Sequence, residues 1–232
     1  MNIYLILLVV FAAQVATKSA RTAHRMKSGA DFTAGMDYAS RHKRTMAHLW
    51  GTACVVVVLS MIVGISFYDL GFRAIDFEGA LRTNVLVIAA CVVLLGMMIL
   101  SKINDNIRKK LAKRHNTGVT AILPHNGRQR WWWVAVSATA GITEEIIFRG
   151  FVLYLIFAVL PDISTIGAIA IGGLIFGLGH MYQGIGGIIM TTLTGALFGH
   201  IFIATGSLIP GIVLHFMMDV ANVFLLNEET TE

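Results

Sequence analysis

An all-α, polytopic transmembrane helix bundle of about seven spans is the fold class this 232-residue sequence predicts, and three observations predict it. Of its residues 56% are hydrophobic and only 13% charged, a balance too apolar for an ordinary water-soluble domain and suited to a bilayer. Seven apolar stretches recur, at about 1–17, 49–68, 84–100, 131–160, 163–180, 184–204 and 207–226. A helix crossing the hydrocarbon core needs roughly 20 such residues. Lysine and arginine collect between the stretches rather than within them, as the positive-inside rule requires of cytoplasmic loops.

The first stretch is short, has no basic n-region before it, and is followed by Lys18 and Arg21. It reads as an N-terminal anchor that starts outside, with a cleaved signal peptide as the alternative. Residues 18–48 carry Lys18, Arg21, Arg25, Lys27, Arg41, Lys43 and Arg44 and fall in the cytoplasm. The loop 69–83 mixes Arg73 and Arg82 with Asp69, Asp76 and Glu78 and falls outside. Residues 101–130 are again strongly basic, forming an amphipathic cytoplasmic linker that ends at Pro124 and Asn126-Gly127. Trp131-Trp132-Trp133 reads as an interfacial belt opening the next span. The formal charge of +5 therefore serves topology, with contact to anionic lipid as the alternative reading, and nucleic acid is not a partner.

The chain divides near residue 130. Residues 1–130 are transmembrane segments joined by basic loops and lack any charge inside a span. Residues 131–226 are dense in glycine and hold the intramembrane polar groups, and 227–232 form a short acidic cytoplasmic tail. Gly173 and Gly177, and Gly195 and Gly199, have the four-residue spacing that lets helix backbones approach closely. Cys54 and Cys91 lie in separate apolar stretches and form neither a disulfide framework nor a zinc motif.

A charge near the bilayer interior costs several kcal/mol and is rarely present without a partner or a task. This sequence places Glu144, Glu145, His180, His215 and Asp219, with Arg149, in membrane-like segments, which implies a polar cavity between helices. Glu145 and Arg149 are four apart and pair on one helical face, while Glu144 is turned by about 100° and looks elsewhere. Phe176 and His180 share a face, and so do His215 and Asp219. His200 and His125 have no such company and carry no function in this reading. Two adjacent carboxylates with one cation leave excess negative charge, which demands a further partner.

Three chemistries use such a set. One is hydrolysis at a metal held by His and carboxylate ligands, although no His-Glu-x-x-His is present. A second is metal-free hydrolysis, in which a carboxylate and a histidine deprotonate water while other donors hold the oxyanion. A third is a proton or ion path in a transporter, for which paired half-repeats are expected and none is seen. No Gly-x-Ser-x-Gly is present, and both cysteines lie away from the polar segments.

Glu144-Glu145-x-x-x-Arg149, Phe176-x-x-x-His180 and His215-x-x-x-Asp219, in that order and in separate apolar segments, resemble the motifs of the CAAX-protease and bacteriocin-processing family, CPBP or Abi. Thr205-Gly206-Ser207-Leu208 resembles it too, and the likeness covers roughly residues 130–226. The resemblance implies a multi-pass protein of a prokaryotic plasma membrane, acting as an intramembrane glutamic endopeptidase without metal or other cofactor. Its substrate would be a peptide or protein at the membrane, such as a CAAX-type protein, a lipoprotein precursor or a bacteriocin leader. Glu144 would be the general base, assisted by His180, with His215 and Asp219 on the oxyanion side and Glu145 and Arg149 in support. The last position is often Asn in proteases of the family. An ionised aspartate cannot donate to an oxyanion, so Asp219 is either protonated or orients His215. Some members of the family act in bacteriocin immunity, so a non-proteolytic immunity or scaffold protein is the alternative.

Single-cysteine labelling in a cysteine-free background tests the topology. A cysteine at position 115 is expected to react only from the cytoplasmic side, and labelling only from outside would invert the arrangement.

Overall fold

The computed structural model describes residues 2–27, 37–104, 124 and 126–226. All regular structure among them is helical. Helices α1 (Ile3–Lys27), α2 (Tyr38–Ile62) and α3 (Leu81–Ile103) come first. Helix α4 (Gly127–Glu144) runs on through a π-helical segment (Glu145–Val152) into α5 (Leu153–Val159), forming one continuous rod. Helix α6 (Thr165–Leu178), a 3-10 turn (Met181–Gln183), α7 (Gly184–Thr205) and α8 (Ile209–Leu226) complete the bundle. The segments 28–36, 105–123 and 227–232, and His125, fall outside the described residues, so most of the predicted basic linker and the tail do as well.

The helix ends follow capping chemistry more closely than hydropathy. Helix α2 begins eleven residues before the apolar stretch at 49, because the Asp37 carboxylate accepts from the Ser40 N–H at 2.8 Å. It stops at Ile62, and Gly64 takes a left-handed φ of +82° to start the connection to α3. Asn126 caps α4 by accepting from Gln129 N–H at 2.9 Å, and Ser164 caps α6 by accepting from Gly167 N–H at 3.1 Å. Gly206, at φ +65°, ends α7 in the left-handed conformation.

Among the described residues four helical segments are long and apolar enough to cross a membrane: Ile3–Arg25, Tyr38–Ile62, Leu81–Leu100 and Met181–Thr205. Thr165–Leu178 and Ile209–Ala221 are shorter apolar helices. Large side chains such as Val55, Val58, Leu86, Val92, Ile189 and Leu193 point outward, which water would disfavour and lipid accepts. The protein is an integral membrane protein.

Contacts between helix ends sort into two groups. At one end the Tyr4 hydroxyl donates to the Val63 carbonyl (3.2 Å), Leu208 N–H to the Gly71 carbonyl (3.1 Å), and the Ser207 hydroxyl to the Arg73 carbonyl (2.7 Å). At the other, Met181 N–H donates to the Ser19 hydroxyl (2.9 Å), the Trp133 indole to the Asp219 carbonyl (3.1 Å), and Lys43 lies 5.4 Å from the Trp132 ring. Successive rods therefore alternate in direction, and the second group lies at the end that carries the basic segments.

The core is built on the rod 127–159. Ile147, Phe151, Val152, Leu155 and Ile156 are buried against Ala53 and Val56 of α2, Ile65 and Leu70 of the following loop, and Leu7, Leu8 and Phe11 of α1. Gly150 lets the loop come in: a Cβ there would stand 2.7 Å from the Leu70 carbonyl oxygen.

Helices α6 and α7 are the most tightly apposed pair. A Cβ at Gly173 would lie 2.7 Å from the Thr192 carbonyl oxygen, and one at Gly177 would lie 2.9 Å from that of Ile188. A Cβ at Gly195 would lie 3.0 Å from the Gly173 Cα, whereas one at Gly199 would make ordinary contact with Ile169 at 3.7 Å. Gly173→Leu is expected to destabilise the protein by about 1–3 kcal/mol through overpacking. Gly96→Leu, where nothing lies within 4 Å, should leave stability unchanged. Thermal unfolding in detergent checks both, and equal effects would remove the packing explanation.

Candidate functional site

The polar residues converge where α4 and its π-helical continuation meet α6, α7 and α8. Close approach of backbones makes this possible. A Cβ on Gly141 of α4 would come within 3.3 Å of the Ile212 carbonyl oxygen and the Phe216 nitrogen of α8. A Cβ on Gly211 would come within 2.8 Å of Glu145 Oε2, so the absent side chain is the space the carboxylate occupies. The π-helical segment begins at Glu145 itself. Such segments are rare, and occur mostly as short bulges in α-helices, often at functional sites.

Glu145 is 1% exposed and Arg149 2%. Glu145 Oε1 pairs with Arg149 Nη1 at 3.2 Å and accepts a hydrogen bond from His215 Nδ1 at 2.9 Å. One carboxylate oxygen thus joins the guanidinium of its own helix to the imidazole of another. The guanidinium lies between two rings, 4.6 Å from the Phe176 centroid and 5.0 Å from that of Phe198, and Nη2 donates to the Gly195 carbonyl at 3.4 Å. Both rings offer the negative faces of their π-systems to the cation.

His215 is turned by this bond. A carboxylate oxygen can only accept, so Nδ1 carries the proton, and Nε2 is directed away from Glu145. Nε2 lies 3.9 Å from Glu144 Oε2 and 3.9 Å from Asp219 Oδ2. These spacings exceed a direct hydrogen bond. The imidazole stacks on Phe198 at 5.1 Å between centroids and meets Phe176 edge-on at 6.2 Å.

Glu144 and Asp219 are less enclosed, with side chains 17% and 34% exposed. His180 sits on the turn after α6. Its Nδ1 donates to the Phe176 carbonyl at 2.9 Å, which leaves Nε2 as the acceptor of a neutral ring. Its ring is 4.6 Å from that of Phe176, and it lies within Coulomb reach of Asp219. Phe176 therefore touches Arg149, His180 and His215 together.

The structure brings Glu144, Glu145, Arg149, His215 and Asp219 into one cluster and sets His180 beside it through Phe176. His200 is exposed, away from this group. The pairing of Glu145 with Arg149 and the shared face of His215 and Asp219 follow the helical spacing. The bond from Glu145 to His215 crosses between helices, and sequence spacing did not show it. Sequence reasoning also passed over Phe198, Gly141 and Gly211, each an ordinary apolar or small residue in an apolar stretch. Tyr182 went unnoticed as well. It lies within Coulomb reach of both Glu144 and Asp219, its ring 5.9 Å from His180. Among the described residues no three His, Cys, Asp or Glu side chains are grouped in a way that could hold a metal ion.

Fold and cluster together define a polytopic helical membrane protein with a carboxylate–imidazole site buried between helices. Residues 126–221 match the family model described as Type II CAAX prenyl endopeptidase Rce1-like. That match agrees with the CAAX-protease family to which the motifs point, and the matched segment contains all six candidate residues. Neither the curated proteins nor the solved structures gave a match to the chain.

The link between Glu145 and its partners is testable. Glu145→Gln leaves the buried Arg149 without a counter-charge and should destabilise the protein by about 3–5 kcal/mol. Replacing Arg149 by Met in the same chain removes the orphaned cation and should restore part of that loss. Unfolding midpoints in detergent decide, and a double variant no more stable than Glu145→Gln would show that the cation is not the source of the damage.

Proposed function

We propose that the chain is an intramembrane endopeptidase of the glutamic type, with water activated by Glu144 and His180. One observation carries this reading. His215 Nε2 faces two carboxylates at 3.9 Å while its Nδ1 is bound to a third. Two groups 3.9 Å apart can share one water at about 2.8 Å from each, so Glu144 and His215 are spaced to hold a water between base and acid.

In the proposed reaction Glu144 takes a proton from water as the oxygen adds to the scissile carbonyl carbon. His180, with Nε2 as acceptor, supports the base. Negative charge passes to the carbonyl oxygen. Protonated His215 donates from Nε2 to that oxyanion while Nδ1 stays on Glu145. Three carboxylates, Glu144, Glu145 and Asp219, surround His215 against one guanidinium and would supply the counter-charge for its imidazolium in this step. Asp219 then acts as a counter-charge to His215 rather than as an oxyanion donor, consistent with an acid where relatives often have an amide. Collapse of the intermediate breaks the C–N bond, and Glu144 returns its proton to the departing amine. No step uses a metal or other cofactor.

The substrate is a peptide or protein at the membrane, of the CAAX type or a peptide precursor. Multi-pass location in a prokaryotic plasma membrane fits the same reading. The alternative, a non-proteolytic immunity or scaffold protein, rests on Asp219 in place of the amide.

Glu144→Gln keeps shape and polarity but cannot accept the proton. It is expected to fold and insert normally and to lose turnover by about 10²–10⁴-fold. Terminal proteomics of membranes with and without the protein supplies the substrate for the cleavage assay. Near-native cleavage by Glu144→Gln would remove the base from its role. A biological effect that persists in Glu144→Gln, with no cleavage by either form, would establish the scaffold reading.

A further inference from the structure

At the basic end of the bundle a groove of about 860 Å³ runs between α1 and α2; none of the cluster residues lines it, although Lys18 lies within Coulomb reach of Glu144. Its size is that of a small-molecule site. The lining changes character along α1. Val10 and Ala13 form its deeper part, Gln14, Thr17 and Thr22 its polar flank, and Lys18, Arg21 and Arg25 its outer part, with His48 of α2 opposite. Positions 10, 14, 18, 21 and 25 recur at helical spacing, so one stripe of α1 passes from apolar to basic. Val10, Ala13, Gln14, Lys18, Arg21 and His48 are all exposed.

Both walls are fixed. Helix α1 is tied to the turn after His180 by Met181 N–H donating to the Ser19 hydroxyl at 2.9 Å, with Val15 within 3.3 Å of where a Gly179 Cβ would be. Helix α2 is held to the start of α4, with His42 at 6.3 Å from Trp133 and Lys43 at 5.4 Å from Trp132. The groove therefore does not depend on an occupant to form. Val10 and Ala13 belong to the apolar stretch of α1 suited to hydrocarbon, and Lys18, Arg21 and Arg25 to its basic flank, suited to the headgroup level on the side where basic segments gather. An apolar slot capped by cations at that depth has the chemistry of an anionic phospholipid. An acidic peptide segment would leave Val10 and Ala13 without use.

We propose that the α1–α2 groove binds the headgroup of an anionic phospholipid, with an acyl chain lying along Val10 and Ala13. The site is independent of the protease reading, and its test needs no substrate. Purified protein would be equilibrated with vesicles of equal parts phosphatidylglycerol and phosphatidylcholine, and the retained lipid measured by native mass spectrometry. Selective retention of phosphatidylglycerol is expected. At about 1 kcal/mol per basic side chain near the surface, Lys18→Gln with Arg21→Gln should weaken it by about 30-fold. Arg82→Gln, in α3 on the opposite side of the topology, should not. Should the double variant fail to fold, wild-type protein in ~1 M salt gives the same answer, because screening falls to about 3 Å and the headgroup should be released. Equal retention of both lipids, retention unchanged in the double variant, or no release by salt would overturn the proposal. So would full competition by soluble glycerol phosphate, which would mark a simple phosphate site with no need of the membrane.

Discussion

The Glu145 carboxylate is the interaction on which the rest of the site depends. It has almost no contact with solvent, and an isolated carboxylate in that position would be too costly to keep ionised. Its stability comes from partners on three sides: the guanidinium of Arg149, the Nδ1–H of His215, and the bare backbone at Gly211. Each partner is then constrained in turn. Arg149 must lie where Phe176 and Phe198 can flank it and where Gly195 leaves a carbonyl open. His215 must present Nε2 toward Glu144 and Asp219. Four separate segments are thereby held in register by one buried charge network.

Such a network tolerates little slack, and this explains why the glycines stand where they do. The carboxylate reaches α8 because Gly141 and Gly211 let α4 and α8 approach to backbone contact. Phe176 and Gly195 are brought to the guanidinium because Gly173, Gly177 and Gly195 let α6 and α7 do the same. In lipid there is no hydrophobic force pressing helices together, so close packing between small residues carries much of the association. The same residues that make the bundle cohere therefore set the distances inside the cluster. A methyl group at any of these five glycines would move a charge partner as well as a helix.

Much of this was legible in the sequence, and the limit is physical. Composition, seven apolar stretches and alternating basic loops specify an all-helical membrane bundle. Helical periodicity pairs Glu145 with Arg149 and aligns His215 with Asp219, because both relations lie within one helix. Motif order was enough to point to the CAAX-protease family that residues 126–221 match. The contact between Glu145 and His215 was not legible, because periodicity says nothing about which helices face each other across 70 residues of chain. Phe198 looks like any lipid-facing or core aromatic until the cation beside it is known. Gly141 and Gly211 have no second glycine four residues away, so neither stands out as a glycine stripe. Helix ends were displaced for a simpler reason: Asp37 and Asn126 are capping residues in polar sequence, and they extend α2 and α4 past the apolar limits.

The adjacency of the two glutamates has a physical logic in this arrangement. Neighbouring residues on a helix point about 100° apart, so one backbone position can serve two environments. Glu145 is turned into the protein, where one oxygen meets both Arg149 and His215 and its charge is fixed by a permanent cation. Glu144 is turned toward the more open side of His215, at 3.9 Å, with no side-chain partner at direct hydrogen-bonding distance among the described contacts. A group that must gain and lose a proton cannot also be locked into an ion pair, since the pair would hold it ionised and change its basicity at each step. Separating the structural charge from the reactive one resolves that conflict. The two remain coupled through His215, whose one nitrogen is anchored by Glu145 and whose other faces Glu144. Any change in the buried pair is therefore felt at the proposed base through the orientation of a single imidazole ring.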